Sequence, residues 1–220
     1  SEKLLQDYRY RYNAEALWLF HLVFEANGET EQAKQMLQII IQFLDGQRGV
    51  SDENTIVFIG RALFKAGSAD PKQIKENLYD RVLKSDPNNR EALLATGELA
   101  LAKRDFKLAG RTFTRAIGVY PEDADLLYGL AKAYAESDPP QMEEPLHTAM
   151  FSNPDHVPSL LLQAHNQADA EQYEAANGIL KAIFKINPHH SESWALQAAI
   201  HTVQNKTEEA KAARESGLKF

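Results

Sequence analysis

The sequence predicts an all-α fold built from repeated helical hairpins. Proline recurs at Pro87, Pro121, Pro154 and Pro188, and the intervals of 34, 33 and 34 residues define a structural period. Between these prolines, apolar residues follow helical spacing in two segments of about 12 to 14 residues, separated by a short polar or glycine-containing turn. Each period is therefore a pair of helices joined by a turn.

The period at residues 90–123 shows why its elements form. Small residues at Gly97, Ala109 and Ala116 let two helix backbones approach closely, and Phe113 fills the space between them. Pro121 lacks an N–H and crowds the preceding turn, so the second helix ends before it and the chain enters the next hairpin. The spacing of small, aromatic and proline residues thus predicts a closely packed hairpin.

These residues resemble the tetratricopeptide repeat, whose pattern runs W-x2-L-G-x2-Y, then A-x3-F, then P. The resemblance covers nearly the whole chain in six repeats, at about 14–47, 53–89, 90–123, 124–156, 157–190 and 191–220, after an N-terminal helical extension at 1–13. It implies a right-handed α-solenoid in which each hairpin packs mainly on its neighbours.

Three places depart from the repeat pattern. Repeat 2 has about three extra residues, expected at or near its turn, and carries Lys75 where a small residue is usual. Repeat 4 lacks one residue around 137–141, and no proline closes repeat 1. The link at 45–54 is either a hinge or a packed loop.

Composition restricts the class of function. The chain has 24 basic and 31 acidic residues, and its net charge of −7 argues against a duplex nucleic-acid binder. The apolar stretches at 16–24 and 36–44 are about half the length that spans a bilayer. The absence of cysteine excludes disulfides, thiolate metal sites and cysteine nucleophiles.

The compartment is not readable from the sequence. The chain begins without an initiator Met, which suggests an excised fragment or a processed form. We expect a soluble protein, and both the cytoplasm and a bacterial periplasm remain open.

Residues that suggest chemistry have simpler structural interpretations. Glu143 and Glu144 follow two prolines at a helix start, where the helix dipole favours carboxylates without any reaction. His156 and His190 occupy equivalent loops of adjacent repeats; we interpret them as solvated loop histidines, with a metal site as the alternative. No GxSxG, HExxH, CxxC or phosphate-loop motif occurs. We expect no enzyme activity, no cofactor and no metal.

The stretch DYRYRY at 7–12 interleaves aromatic and basic residues, as a single-strand nucleic-acid platform does. Leu4, Leu5, Tyr8 and Tyr12 nevertheless form a helical stripe, which favours a helix that packs under repeat 1 near Leu17 and Trp18. We therefore interpret this segment as a cap and expect no nucleic acid and no membrane insertion.

The resemblance implies that the first helices of the repeats line a concave groove that binds a peptide or protein segment. Aligned repeats place one apolar residue at the same groove position, namely Trp18, Val57, Leu94, Tyr128, Leu161 and Ala195. One turn later, a mixed row follows, namely Leu22, Arg61, Glu98, Lys132, His165 and Ala199. The alternative is that these residues only pack between neighbouring first helices, with Arg61, Glu98 and Lys132 as a salt-bridge ladder.

The sequence supports a non-enzymatic protein-interaction scaffold that assists complex assembly. The alternative is the interaction domain of a longer enzyme whose catalytic domain lies outside this chain. A third hypothesis is self-association through the C-terminal end, where Leu218 and Phe220 lack a capping helix. Binding of acidic chaperone tails is not expected, because Leu94, Glu98 and Gly129 stand where that subclass has asparagine and basic residues.

Overall fold

The computed structural model describes residues 13–44 and 52–218, and within these ranges the regular elements are helices without any strand. The helices are, in order, α1 Ala14–Ala26, α2 Thr30–Gln42, α3 Glu53–Lys65, α4 Pro71–Ile74, α5 Asp80–Ser85, α6 Arg90–Ala102, α7 Phe106–Ile117, α8 Ala124–Ser137, α9 Glu143–Ser152, α10 Val157–Asp169, α11 Tyr173–Ile186, α12 Ser191–Val203 and α13 Thr207–Gly217. A π-helical turn, Lys75–Tyr79, joins α4 to α5, and a 3-10 turn, Pro139–Gln141, precedes α9.

Polar side chains start several of the first helices. Asp52, Asn89 and Asp123 each precede a first helix and accept a hydrogen bond from a backbone N–H of its first turn, at 2.8 to 3.1 Å. Such caps satisfy N–H groups that have no partner inside the helix. The predicted hairpin starts therefore have a local physical cause.

A left-handed residue closes the first helix in five of the six repeats. Arg104, Glu171 and Asn205 have φ near +59°, and Gly28 and Gly67 have φ of +74° and +64°. At each of these turns the following N–H donates to a carbonyl five residues earlier, at 2.8 to 2.9 Å. This geometry ends the helix and reverses the chain. Repeat 4 uses its 3-10 turn instead, at the place where the sequence lacks one residue.

The extra length of repeat 2 lies only partly in its turn, which corrects the sequence prediction. Residues 66–70 separate α3 from α4, whereas residues 103–105 separate α6 from α7, so the turn takes two of the three extra residues. The π-helical turn takes the third, as single-residue insertions in helices do. As a result, buried Ile74 takes the place expected of Lys75, and Lys75 Nζ instead contacts Asp80 Oδ2 at 2.8 Å.

Small residues bring the two helices of a hairpin together, as the sequence predicts. A Cβ on Gly97 would lie 2.6 Å from Phe113 Cε2, and a Cβ on Gly60 would lie 3.0 Å from Tyr79 Cζ. Both rings are fully buried. Because Phe113 and Tyr79 are 34 residues apart, the same contact recurs in adjacent repeats. The prediction of an all-α fold of repeated helical hairpins is confirmed.

The chain divides into two compact units, residues 1–120 and 121–220. In the first unit, first helices contact one another in the order α1, α3 and α6; in the second unit, the order is α8, α10 and α12. None of the described helices combines the length and the apolar character that crossing a bilayer requires. Residues 1–12 of the expected helical extension at 1–13, most of the link at 45–54, and Phe220 lie outside the described residues.

Candidate functional site

The predicted apolar row is less exposed than the sequence suggests. Val57 is 0% exposed and Leu94 is 6% exposed, and Leu161 is also buried. Val57 packs inside the core of repeat 2, against Ile74 and Tyr79. The predicted apolar row is therefore not exposed at these positions, because neighbouring first helices and the second helix of the same hairpin cover them.

Trp18 and Tyr128 remain partly exposed on their first helices, and Leu22 is 41% exposed one turn after Trp18. Ala195 and Ala199 are exposed but offer little apolar surface. The exposed part of the predicted site is thus concentrated around Trp18 and Leu22 in the first unit and around Tyr128 in the second.

Arg61 joins the three first helices of the first unit in one cluster. Its Nη1 lies 3.3 Å from Glu98 Oε2, and its Nη2 lies 3.5 Å from Glu91 Oε2. The guanidinium carbon lies 5.8 Å from the ring centres of both Trp18 and Phe58, within cation–π range. We call these five residues the Arg61 cluster.

The Arg61 cluster is buried at Arg61 and partly exposed at Glu98. The Arg61 side chain is mostly buried, and Nε has no hydrogen-bond partner. Glu98, in contrast, is about half exposed. Arg90 also contacts Glu91, so two guanidinium groups and two carboxylates meet here and their charges balance. The ladder that the alternative interpretation predicts is therefore present for Arg61 and Glu98.

Two further contacts of the first unit escape the sequence alignment. Glu91 lies two helical turns before Glu98 on the same face of α6, and this spacing was the signal that could have identified it. Lys65 Nζ lies 2.8 Å from Glu25 Oε1 and neutralises that carboxylate at the edge of the face. Glu98, on α6, is thus the half-exposed carboxylate of the Arg61 cluster.

Tyr79 lies in the core near the Arg61 cluster. Burial raises the pKa of the Tyr79 phenol well above its usual range, and nearby Arg61 acts in the opposite direction. The phenol therefore stays neutral in the folded state at ordinary pH.

The second unit presents a different face around Tyr128. Lys132 Nζ lies 5.6 Å from the centre of the Tyr128 ring, and the ring packs edge-on against His156 at 5.8 Å. His165, one repeat along, is exposed. This face combines an aromatic ring with a cation and so differs in charge from the Arg61 cluster.

His156 is buried and hydrogen-bonded, which corrects its interpretation as a solvated loop residue. Its Nδ1 lies 2.7 Å from Ser159 Oγ, and its Nε2 lies 3.2 Å from Asp125 Oδ1. His190 repeats part of this arrangement, with Nδ1 2.9 Å from Ser193 Oγ. Both histidines hold the start of a first helix. Within residues 13–44 and 52–218, no three His, Cys, Asp or Glu side chains are grouped to hold a metal ion.

Comparison with known proteins agrees with this architecture. The family model described as tetratricopeptide repeat matches residues 76–118 and 99–138. A search of curated proteins finds no significant match.

Solved structures with the same fold cover most of this chain. A thermophilic tetratricopeptide-repeat protein of Thermus thermophilus aligns with a TM-score of 0.66 at 19% identity, over 76% of this chain and 91% of its own. PilF of Pseudomonas aeruginosa aligns with a TM-score of 0.60 at 17% identity, over 91% and 88%. YrrB, described as a tetratricopeptide-repeat protein with an unusual peptide-binding site, aligns with a TM-score of 0.51 at 17% identity, over 79% and 88%.

Proposed function

The chain is a helical repeat protein of the tetratricopeptide type over most of its length, and we propose that it is a non-enzymatic scaffold that binds a peptide or protein segment on the exposed faces of its first helices. The family model supports protein or peptide partners, because repeats of this kind serve mainly in protein–protein interaction. YrrB, which has the same fold, is described by its peptide-binding site.

The observation that carries the proposal is the partial exposure of Trp18 within the Arg61 cluster, with Leu22 exposed one turn later on α1. Large apolar side chains that stay exposed next to a rigid polar group are typical of binding surfaces. The contacts of Arg61 with two rings and two carboxylates hold Trp18 in place before any partner arrives. Such preorganisation lowers the ordering cost of binding.

The charges of this face specify the chemistry of the segment. Glu91 pairs with both Arg61 and Arg90, whereas Glu98 contacts Arg61 and stays about half exposed. A segment with an apolar residue for Leu22 and a Lys or Arg for the exposed side of Glu98 fits this face.

A fluorescence titration tests the proposal. Trp18 and Trp194 are the only tryptophans, so a Trp194→Phe background leaves Trp18 as a reporter at the face. Synthetic peptides are selected from a displayed random library against this background and are then titrated. We expect the selected peptides to pair apolar with basic residues and to change the Trp18 emission.

Leu22→Glu is the decisive variant, and Val119→Glu is its matched control. Both residues are 41% exposed, but Val119 follows a second helix. Leu22→Glu is expected to weaken peptide binding about tenfold, which corresponds to about 1.4 kcal/mol, because it removes apolar contact and adds a charge that must be desolvated. Val119→Glu should change the peptide dissociation constant by less than about twofold, which corresponds to about 0.4 kcal/mol. Equal effects of the two variants on folded protein would contradict the proposal.

The second unit is tested in the same way. Tyr128→Ala removes the exposed ring that Lys132 covers, and Phe151→Ala removes an exposed ring on second helix α9. We expect only Tyr128→Ala to weaken the binding of peptides to this unit. Leu94, although part of the predicted row, is too buried for such a test.

The interaction domain of a longer enzyme would use the same faces. The titration above therefore tests binding in both cases, and the sequence of the full gene distinguishes them.

A further inference from the structure

Helix α1 exposes two apolar residues at positions that later first helices bury. Leu19 is 55% exposed and Val23 is 53% exposed. The residues at the same two positions are buried in three later first helices: Phe58 and Ala62 in α3, Ala95 and Leu99 in α6, and Leu196 and Ile200 in α12.

In each of these later helices, the two positions pack against the preceding repeat. Phe58 and Ala62 belong to the core of repeat 1, with Leu37 and Ile40. Leu196 and Ile200 belong to the core of repeat 5; with them pack Leu161, Leu180 and Ile183. Leu19 and Val23 therefore form one side of a repeat-to-repeat contact. The described residues contain no preceding repeat that could form the other side.

The last repeat carries the matching other half. An open groove of about 480 Å³ runs between α12 and α13, and its lining includes Glu192, Ala195, Ala213, Arg214, Gly217 and Leu218. With the 34-residue offset between repeats, Ala195, Arg214 and Gly217 correspond to Leu161, Leu180 and Ile183, which receive α12. Ala195 and Gly217 are smaller than their counterparts Leu161 and Ile183. The surface of repeat 6 is therefore recessed at the place that these larger side chains fill in repeat 5.

We propose that Leu19 and Val23 of one copy enter the α12–α13 groove of a second copy, so that the chain associates head to tail. The occupant follows from continuity with the joints inside the chain, since the same two positions enter the equivalent groove between repeats 5 and 6.

The groove carries charges of both signs, Glu192 and Arg214, and Arg214 already donates a hydrogen bond to Thr202 Oγ1 at 3.1 Å. Charge therefore does not select the occupant, which follows from the repeat-to-repeat packing alone.

The two surfaces are different, so the association is heterologous. Such contacts do not pair off two copies symmetrically, and assembly continues as concentration rises unless the rotation closes a ring. Two side chains that enter one groove make a small contact, and small contacts are weak. We therefore expect association at about 100 µM rather than at nanomolar concentration.

The test is light scattering of the full chain over a concentration series up to about 200 µM, the range expected for a small interface. Three variants are compared: Leu19→Asp with Val23→Asp at the α1 face, Ala195→Asp with Leu218→Asp at the groove, and Phe151→Asp as a control on a second helix. All changed side chains are exposed or lie at the open groove, so circular dichroism should stay unchanged.

We expect the mass of wild type and Phe151→Asp to rise with concentration, and each double variant to remain monomeric. An equimolar mixture of the two double variants should reach twice the mass of one chain and stop, because each keeps one intact surface. A monomeric wild type would overturn the proposal and indicate that the segment before residue 13 or a different protein covers Leu19. Association that survives in either double variant, or a mixture that stays monomeric, would also overturn it.

Discussion

Substitution of Gly97 by alanine tests the close approach of α6 and α7. In a helix, this change gains about 1 kcal/mol from backbone propensity. At Gly97, however, the new Cβ would lie 2.6 Å from the buried ring of Phe113. Overpacking of this kind costs about 1–3 kcal/mol. With the ring enclosed, we take the upper part of that range and expect a net loss of about 1–2 kcal/mol.

Gly110 offers the matched control in the partner helix α7. A Cβ on Gly110 would meet nothing within 4 Å, so Gly110→Ala keeps the propensity gain without the clash. We expect it to stabilise the protein by about 1 kcal/mol. The two alanine variants should therefore differ by about 2–3 kcal/mol and in sign.

Urea unfolding followed by circular dichroism measures the difference. The double variant Gly97→Ala with Phe113→Leu should recover part of the loss, and the coupling energy of the pair should be about 1–2 kcal/mol. If Gly97→Ala stabilises the protein as much as Gly110→Ala does, the ring does not fill this space and the account of the hairpin is wrong.

Three further predictions concern buried polar groups. Because the folded-state pKa of Tyr79 is raised by burial, the unfolded chain loses that proton first above about pH 10, so stability should fall by about 1.4 kcal/mol per pH unit. In Tyr79→Phe, the free energy of unfolding measured with urea should fall less between about pH 10 and 11. Equal slopes for wild type and variant would contradict the burial of the phenol. Arg61→Leu removes the cation that joins Glu91 to Glu98 and should cost about 2 kcal/mol in the same assay, although Glu91 keeps Arg90; no loss would show that the cluster is not a joint. His156→Ala should cost about 1–2 kcal/mol because the buried Ser159 hydroxyl loses its partner, and a double-mutant cycle with Ser159→Ala should show coupling.

The sequence predicts the hairpins well because their contacts are local. Gly97 and Phe113 lie in adjacent helices of one repeat, and their spacing recurs as Gly60 and Tyr79. Small and aromatic residues at fixed intervals allow few other packings.

The sequence predicts depth of burial less well. Alignment places Val57 and Leu94 on the same helix face as Trp18, but the neighbouring helices decide how much of that face is covered. Trp18 stays partly exposed because it lies on α1, which has no preceding repeat among the described residues. Depth depends on packing between repeats, which the period alone does not specify.

The extra residues of repeat 2 show a similar limit. Their number is visible in the sequence, but their division between the turn and the helix is not. A longer turn costs little entropy, and a single π-helical turn is also tolerated. The burial of Ile74, one residue before Lys75, can be explained only when the longer turn and the π-helical turn are considered together.

Hydrogen exchange of the chain with and without a selected peptide tests the central claim most directly. If segments bind the faces of the first helices, amide exchange should slow in α1, α3 and α6, while α2 and α7 should change little. Slowed exchange confined to α2 and α7 would contradict the account, because it would place the partner on the second helices instead.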